Sequence, residues 1–247
     1  MSQLSFVLVN EATSSPLSPQ VTPEWLASVA SAVSVQMNRD FAPEWGGSYS
    51  VRVAASSQDI VPGEVVFAIV DVLPDAPGAI AYHDVDGTAV PVAFLALSTC
   101  NTLDDVSTAI SHEVCETGAD AECNLWADSA QGQEMAREAC DAVESTNYAV
   151  SAFTPVASQS YDIGGIKVSD FVLLSFFAPN GQAPYSFVQA NGGPGPAAPF
   201  QTSQGGYQIV RNSGTGETQV QGEIISKHKL AKARHFSGRV WRRGVRL

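Results

Sequence analysis

Basic side chains are scarce over most of this chain. Arg39, Arg52, Arg137, Lys167 and Arg211 are the only ones in residues 1–222, against 24 acidic groups. That stretch stands near -19, and residues 224–247 stand near +8, within a formal total of -12. Long apolar runs are also missing. Phe171–Ala178, broken only by Ser175, is among the longest, far short of the roughly 20 residues a membrane-spanning helix needs, so no span is expected. The four cysteines, Cys100, Cys115, Cys123 and Cys140, contain no Cys-x-x-Cys spacing, which argues against a zinc site made of thiols alone. The glycines do not stand between a strand and a helix at the spacing that phosphate-binding loops demand. No basic leader precedes an apolar core and a small-residue cleavage site. Met-Ser-Gln-Leu-Ser-Phe-Val-Leu-Val therefore reads as a first strand, and the chain as made in the cytoplasm with reduced thiols. In an oxidising setting Cys123 with Cys140 is one of three possible pairings.

What is present describes a globular protein. The 247 residues are 45% apolar with near-zero mean hydropathy, enough to bury a sizeable core. Alternation from Leu4 to Val9 predicts a strand. Thr22-Pro23-Glu24 opens a helix reaching about Asn38, with Leu26, Val29, Ala30, Val33 and Met37 as its buried stripe. Trp25 and Phe41-Ala42-Pro43-Glu44-Trp45 read as lids on the core. Strands are expected at Ser50–Ala55, Glu64–Leu73, Ala79–His83 and Val90–Leu97, separated by Pro and Gly turn signals. Helical patterns follow at about Thr102–Thr117 and Gln131–Ser145. Gly118 is expected to end the first of these before Asp120 can join its face. Tyr148–Phe153 and Ile166–Phe177 read as strands, and Gln208–Val220 as a last strand or hairpin. Tyr82-His-Asp-Val-Asp-Gly87 reads as a plain turn, although His83 in it could add a ligand.

The chemistry concentrates in His112-Glu-Val-Cys-Glu116. Residues four apart stand one above the other on a helix, so His112 and Glu116 can grip one cation, with Glu113 one step round. In His-Glu-x-x-His zinc peptidases the histidines bind zinc and the glutamate is general base. Glu116 stands where the second histidine would be. Its charge weakens the cation's power to acidify water and admits harder divalent ions. Cys115 should point away from that face. On the second helical pattern, Glu138 and Asp141 lie one turn apart and so share a face.

Together Asn38-Arg-Asp-Phe-Ala-Pro-Glu-Trp45, Ala81-Tyr-His-Asp84, Ser111-His-Glu-Val-Cys-Glu116, Glu138-Ala-Cys-Asp141 and Val168-Ser-Asp-Phe-Val172 resemble a group of bacterial and phage proteins with a zincin-like core, over about residues 1–210. The resemblance implies an α+β fold with a mixed twisted sheet, a metal-site helix, a second supporting helix and an irregular β-containing C-terminal part. It implies an edge strand beside the cleft, and a virion setting. Glu138 and Asp141 resemble the gluzincin pair in which a glutamate is the third zinc ligand and an aspartate orients a metal-bound histidine through its free ring nitrogen. Residues 211–223 then form a strand or hairpin end, and 224–247 a basic tail.

Two functions are expected from this reading. One is a virion structural or assembly protein on a zincin-like scaffold. Its tail residues Lys227, Lys229, Lys232, Arg234, Arg239, Arg242, Arg243 and Arg246 would dock on an acidic partner: another virion protein, a copy of itself or nucleic acid. The other is an active zinc metallopeptidase, with His112, Glu116 and Glu138 as ligands, Glu113 as base and Asp141 behind them.

Overall fold

The computed structural model describes residues 3–87, 89–129, 132–150, 165–212, 215 and 218–222. The tail residues lie outside them. Strand β1 (Gln3–Asn10) is followed by helix α1 (Pro23–Val35), which continues as a π-helical stretch, Gln36–Phe41, into the short helix α2 (Ala42–Trp45). Strands β2 (Ser48–Val53), β3 (Val65–Val70), β4 (Ala81–Val85) and β5 (Pro91–Ala96) lead to helix α3 (Leu103–Ala119). The first five strands form a mixed sheet in the order β2-β1-β3-β5-β4. The pairs β1–β2, β1–β3 and β3–β5 are parallel, and β4 runs antiparallel to β5 at the edge.

Alternation decides which side chains face the helices. Phe6 and Leu8 of β1, with Val65, Phe67 and Ile69 of β3, pack into the main core with α1 and α3. Val7 and Val9 point to the opposite face, against Ala54. Thr22 caps α1 through its hydroxyl, with Pro23 at the first turn, as its sequence requires. Phe41, fully buried, lies against Trp45 with ring centroids 5.5 Å apart and meets Phe171 edge-on. The aromatic cluster at the exit of α1 is thus core.

The chain after α3 departs from expectation. No helix covers 131–145. Strands β6 (Trp126–Asp128) and β7 (Gln133–Ala136) pair antiparallel, and a 3-10 turn occupies Asp141–Val143. The Gln-Glu-Met-Ala-Arg-Glu-Ala run has strong helical propensity, but tertiary pairing overrides it. β7 is held by β10 (Tyr207–Asn212), and Glu134 forms a two-point ion pair with Arg211 at 2.6 and 2.9 Å. β10 pairs in turn with β11 (Thr218–Gly222), so the final hairpin is part of a four-stranded sheet, β11-β10-β7-β6. Strand β8 (Asn147–Ala149) pairs with β9 (Lys167–Ser169), which packs on α3. The expected strand Ile166–Phe177 is shorter, because the chain turns into a single-turn 3-10 helix at Leu174–Phe177.

Gly118 does not end α3, which runs on to Ala119 with Asp120 as its C-cap. A Cβ at Gly118 would stand 2.8 Å from Met37 Cε and 3.2 Å from Phe41 Cε1. The glycine therefore permits close approach of α3 to the end of α1, rather than a stop. Among the described residues no helix is long and apolar enough to cross a membrane.

Candidate metal centre

Helix α3 carries the centre of the site. Thr102 and Asp105 form a reciprocal capping box: Asp105 N donates to Thr102 Oγ1 at 3.1 Å and Thr102 N to Asp105 Oδ2 at 3.0 Å. This satisfies otherwise orphaned amides at the N-terminus. Val106, Ile110 and Val114, spaced four apart, anchor the helix in the core. That anchoring turns the adjacent stripe, with His112, Glu113 and Glu116, toward β4 and the 137–141 loop. All three are nearly inaccessible, His112 at 6% being the most exposed.

His112 Nε2 lies 3.0 Å from Glu116 Oε1, so the predicted i, i+4 pair is formed. Asp141 Oδ1 approaches the same ring nitrogen at 3.2 Å. The resemblance assigns Asp141 to the other nitrogen. Here two carboxylates converge on one ring nitrogen. Cys140 N donates to Glu116 Oε1 at 3.4 Å, tying the loop to the helix. The loop is further fixed where Val172 N donates to Ala139 O at 2.7 Å. Glu138 and Asp141 reach the site from this loop, and the shared helical face expected for them does not exist.

The largest departure is His83. The strand expected at Ala79–His83 is formed as β4, and it runs on to Val85, through most of the segment read as a turn. Ala81 and His83, two apart, face α3, while Tyr82 packs on the opposite side with Leu73 and Ala79. His83 Nδ1 stands 3.2 Å from Glu113 Oε2 and 3.5 Å from Glu116 Oε2, and its Nε2 is 3.7 Å from Glu138 Oε2. Asp84 and Asp86 serve the hairpin instead, accepting from Val85 N and Val90 N. The signal was in the alternation, since an imidazole in phase with Ala81 falls on the inner face.

Glu138 is 5% exposed, and neither carboxylate oxygen has a hydrogen-bond donor. Burial, reinforced by Glu116, Asp141 and Cys123, pushes its pKa well above the usual carboxylate range, although His83 pulls the other way. For His83, burial disfavours the charged ring, but Cys123, Glu138 and Glu113 outweigh it and hold the pKa well above that of an ordinary imidazole. Burial, with Cys115 and Glu116 adding, also raises the Cys140 thiol. A cluster in which protons are retained to relieve crowded negative charge has the electrostatics of a cation site.

Among the described residues, two groups bring one ligand atom from each member within 4.8 Å of one another: His112, Glu116 and Cys140, and His83, Glu116 and Glu138. The expected trio of His112, Glu116 and Glu138 is not such a group, because Glu138 turns to His83. The donor types suit a divalent cation. Imidazole, carboxylate and thiolate are zinc ligands, and a cation would satisfy the orphaned oxygens of Glu138. The four cysteines are free and buried, so no Cys123–Cys140 bridge forms. Cys115 points into the core, 3.6 Å from Met37 Sδ, as its place on the helix requires.

A cavity of about 310 Å³ opens above the cluster. It is lined by His112 and Glu113, by Ile80 and Ala81, and by the acidic side chains of Asp104, Asp105 and Glu144. Comparison with family models, curated proteins and solved structures found no match for this chain.

Proposed function

We propose that the protein is a zincin-like, metal-dependent hydrolase acting on peptides. The observation that carries this reading is the convergence of Glu116 Oε1 and Asp141 Oδ1 on His112 Nε2, at 3.0 and 3.2 Å, beside a cavity that His112 and Glu113 line. His112, Glu116 and Cys140 would hold the cation, with Asp141 against the His112 ring, and zinc fits their chemistry best. When bound, such an ion polarises a carbonyl and brings the pKa of a water toward about 7.

The chain's own residues supply the rest. Glu113 lines the cavity with His112 and is the carboxylate placed to take and return a proton there. His83 Nδ1, 3.2 Å from Glu113 Oε2, fixes the direction of that carboxylate. Strand β4 is the sheet edge, and Ala81, which lines the cavity, begins it. Its outer backbone suits an extended peptide added as a further strand. Acidic groups lining the cavity favour peptides with Lys or Arg near the cut bond. The zincin-like assignment is supported by the order of elements: a mixed five-stranded sheet, an antiparallel edge strand, then the helix bearing His112-Glu-x-x-Glu116.

A second reading rests on burial. Ligands as inaccessible as Glu116 at 0% and His83 at 1% match closed, structural metal sites. In that case the protein is a virion structural or assembly component stabilised by its metal, with the basic tail docking on an acidic neighbour. Assay of zinc-loaded protein on a mixed peptide library separates the two. Cleavage that Glu113→Gln abolishes supports the hydrolase. Metal-dependent folding without cleavage of any peptide supports the structural role.

A further inference from the structure

We propose that the centre takes two divalent cations, bridged by Glu116. The inference rests on the preceding assignment of one cation to His112 and adds a second, held by His83 and Glu138. The geometry begins with the two oxygens of Glu116. Oε1 faces His112 Nε2 at 3.0 Å, whereas Oε2 faces His83 Nδ1 at 3.5 Å. Each oxygen thus belongs to a different ligand group, and the two groups share no residue except Glu116. Two ions can therefore be seated without competing for a ligand.

The second group has its own independent pointer. Both oxygens of Glu138 are buried with no hydrogen-bond donor, and Oε2 lies 3.7 Å from His83 Nε2. One ligand atom from each of His83, Glu116 and Glu138 lies within 4.8 Å of the others. An ion takes a single ring nitrogen of His83, either Nδ1 beside Glu116 Oε2 at 3.5 Å or Nε2 beside Glu138 Oε2 at 3.7 Å. Either separation is close to the ~3.3 Å edge of a tetrahedron whose arms have metal–ligand lengths, with the other carboxylate closing on the ion. A carboxylate that spans two ions holds them roughly 3.5–4 Å apart, the spacing of hydrolytic two-metal centres. The carboxylates of Glu113, Glu116, Glu138 and Asp141, all buried here, carry enough negative charge to accept two divalent ions. Donor types also differ between the halves. The His112 half includes the Cys140 thiol and favours zinc, while the His83 half offers imidazole and carboxylates and admits manganese as readily.

The test uses the full chain, dialysed to equilibrium against Zn²⁺ or Mn²⁺, with bound metal counted by elemental analysis. Wild type is expected to hold two ions per chain, and Glu138→Gln one, with an unchanged circular dichroism spectrum. Because Zn²⁺ can also bind histidines of the tail, the deciding readout is the electron paramagnetic resonance of fully Mn²⁺-loaded wild type. A bridged pair gives an exchange-coupled spectrum, which Glu138→Gln converts to the six-line signal of isolated Mn²⁺. One ion per wild-type chain, or an isolated six-line signal at full loading, overturns the second site and leaves the first standing. No bound ion at all overturns both.

Discussion

Glu116 and His83 face each other between helix α3 and edge strand β4, with Glu116 Oε2 3.5 Å from His83 Nδ1. Strand β4 presents the ring, and the capped, core-anchored α3 presents the carboxylate. Neither element moves without disturbing the main core, so the ligand geometry is built on rigid parts.

Glu113→Gln should abolish peptide cleavage, by about 10²- to 10⁴-fold, while metal content stays at the wild-type level. Glutamine keeps the shape and the contact with His83 but cannot take a proton. Turnover assays run beside elemental analysis check this. Full activity in the variant would remove Glu113 from the chemistry.

Stripping metal with a chelator should lower the thermal midpoint, and adding Zn²⁺ should restore it. Saturation at about 100 times Kd contributes ~2.7 kcal/mol, which corresponds to roughly 5–10 °C for a chain of this size. Differential scanning calorimetry at matched pH reads it directly. An unchanged midpoint would mean that the folded state gains nothing from the ion.

Asp170 governs a separate pH dependence. Burial pushes its carboxyl up to about 7, against hydrogen bonds from Val188 N and Phe171 N that pull it down. The folded state thus keeps a proton that the unfolded chain releases above its ordinary carboxylate pKa. Stability should fall as pH rises from about 4 to about 7 and then level off, an effect of up to about 4 kcal/mol. Asp170→Asn, which retains the accepting Oδ1, should flatten that slope. Urea titrations of both proteins at pH 5 and pH 8 measure it, and equal slopes would refute the assignment.

Gly118→Val should destabilise the fold by about 1–3 kcal/mol through overpacking, because a Cβ there already meets Met37 and Phe41 at 2.8 and 3.2 Å. Denaturant unfolding gives the figure. Gly118→Ala should cost less, since the Met37 terminus is flexible and alanine favours the helix.

Part of the site was legible without coordinates. The helix over about Thr102–Thr117 and the stacking of His112 on Glu116 follow from helical periodicity. So does the buried place of Cys115, while the strand at the N-terminus follows from period-two alternation. Glu138 was named as a ligand for a reason that failed, since the helix meant to carry it is a strand and a loop. His83 fell at the end of the strand expected at Ala79–His83, which β4 bears out, but residues 82–87 were read as a turn. The turn reading followed Asp84 and Asp86, whereas the phase of Ala81 and His83 along β4 is what turns the ring toward α3.

Local periodicity, which acts over one or two turns of helix or a few residues of strand, was enough by itself to determine helix α3, its inward face and the pair His112–Glu116. Where Glu138, Cys140 and Asp141 come to rest was decided only in three dimensions. Pairing of β7 with β10 and the Arg211–Glu134 ion pair outcompete the helical preference of that stretch, and the loop they leave behind is what bends toward His83 and His112.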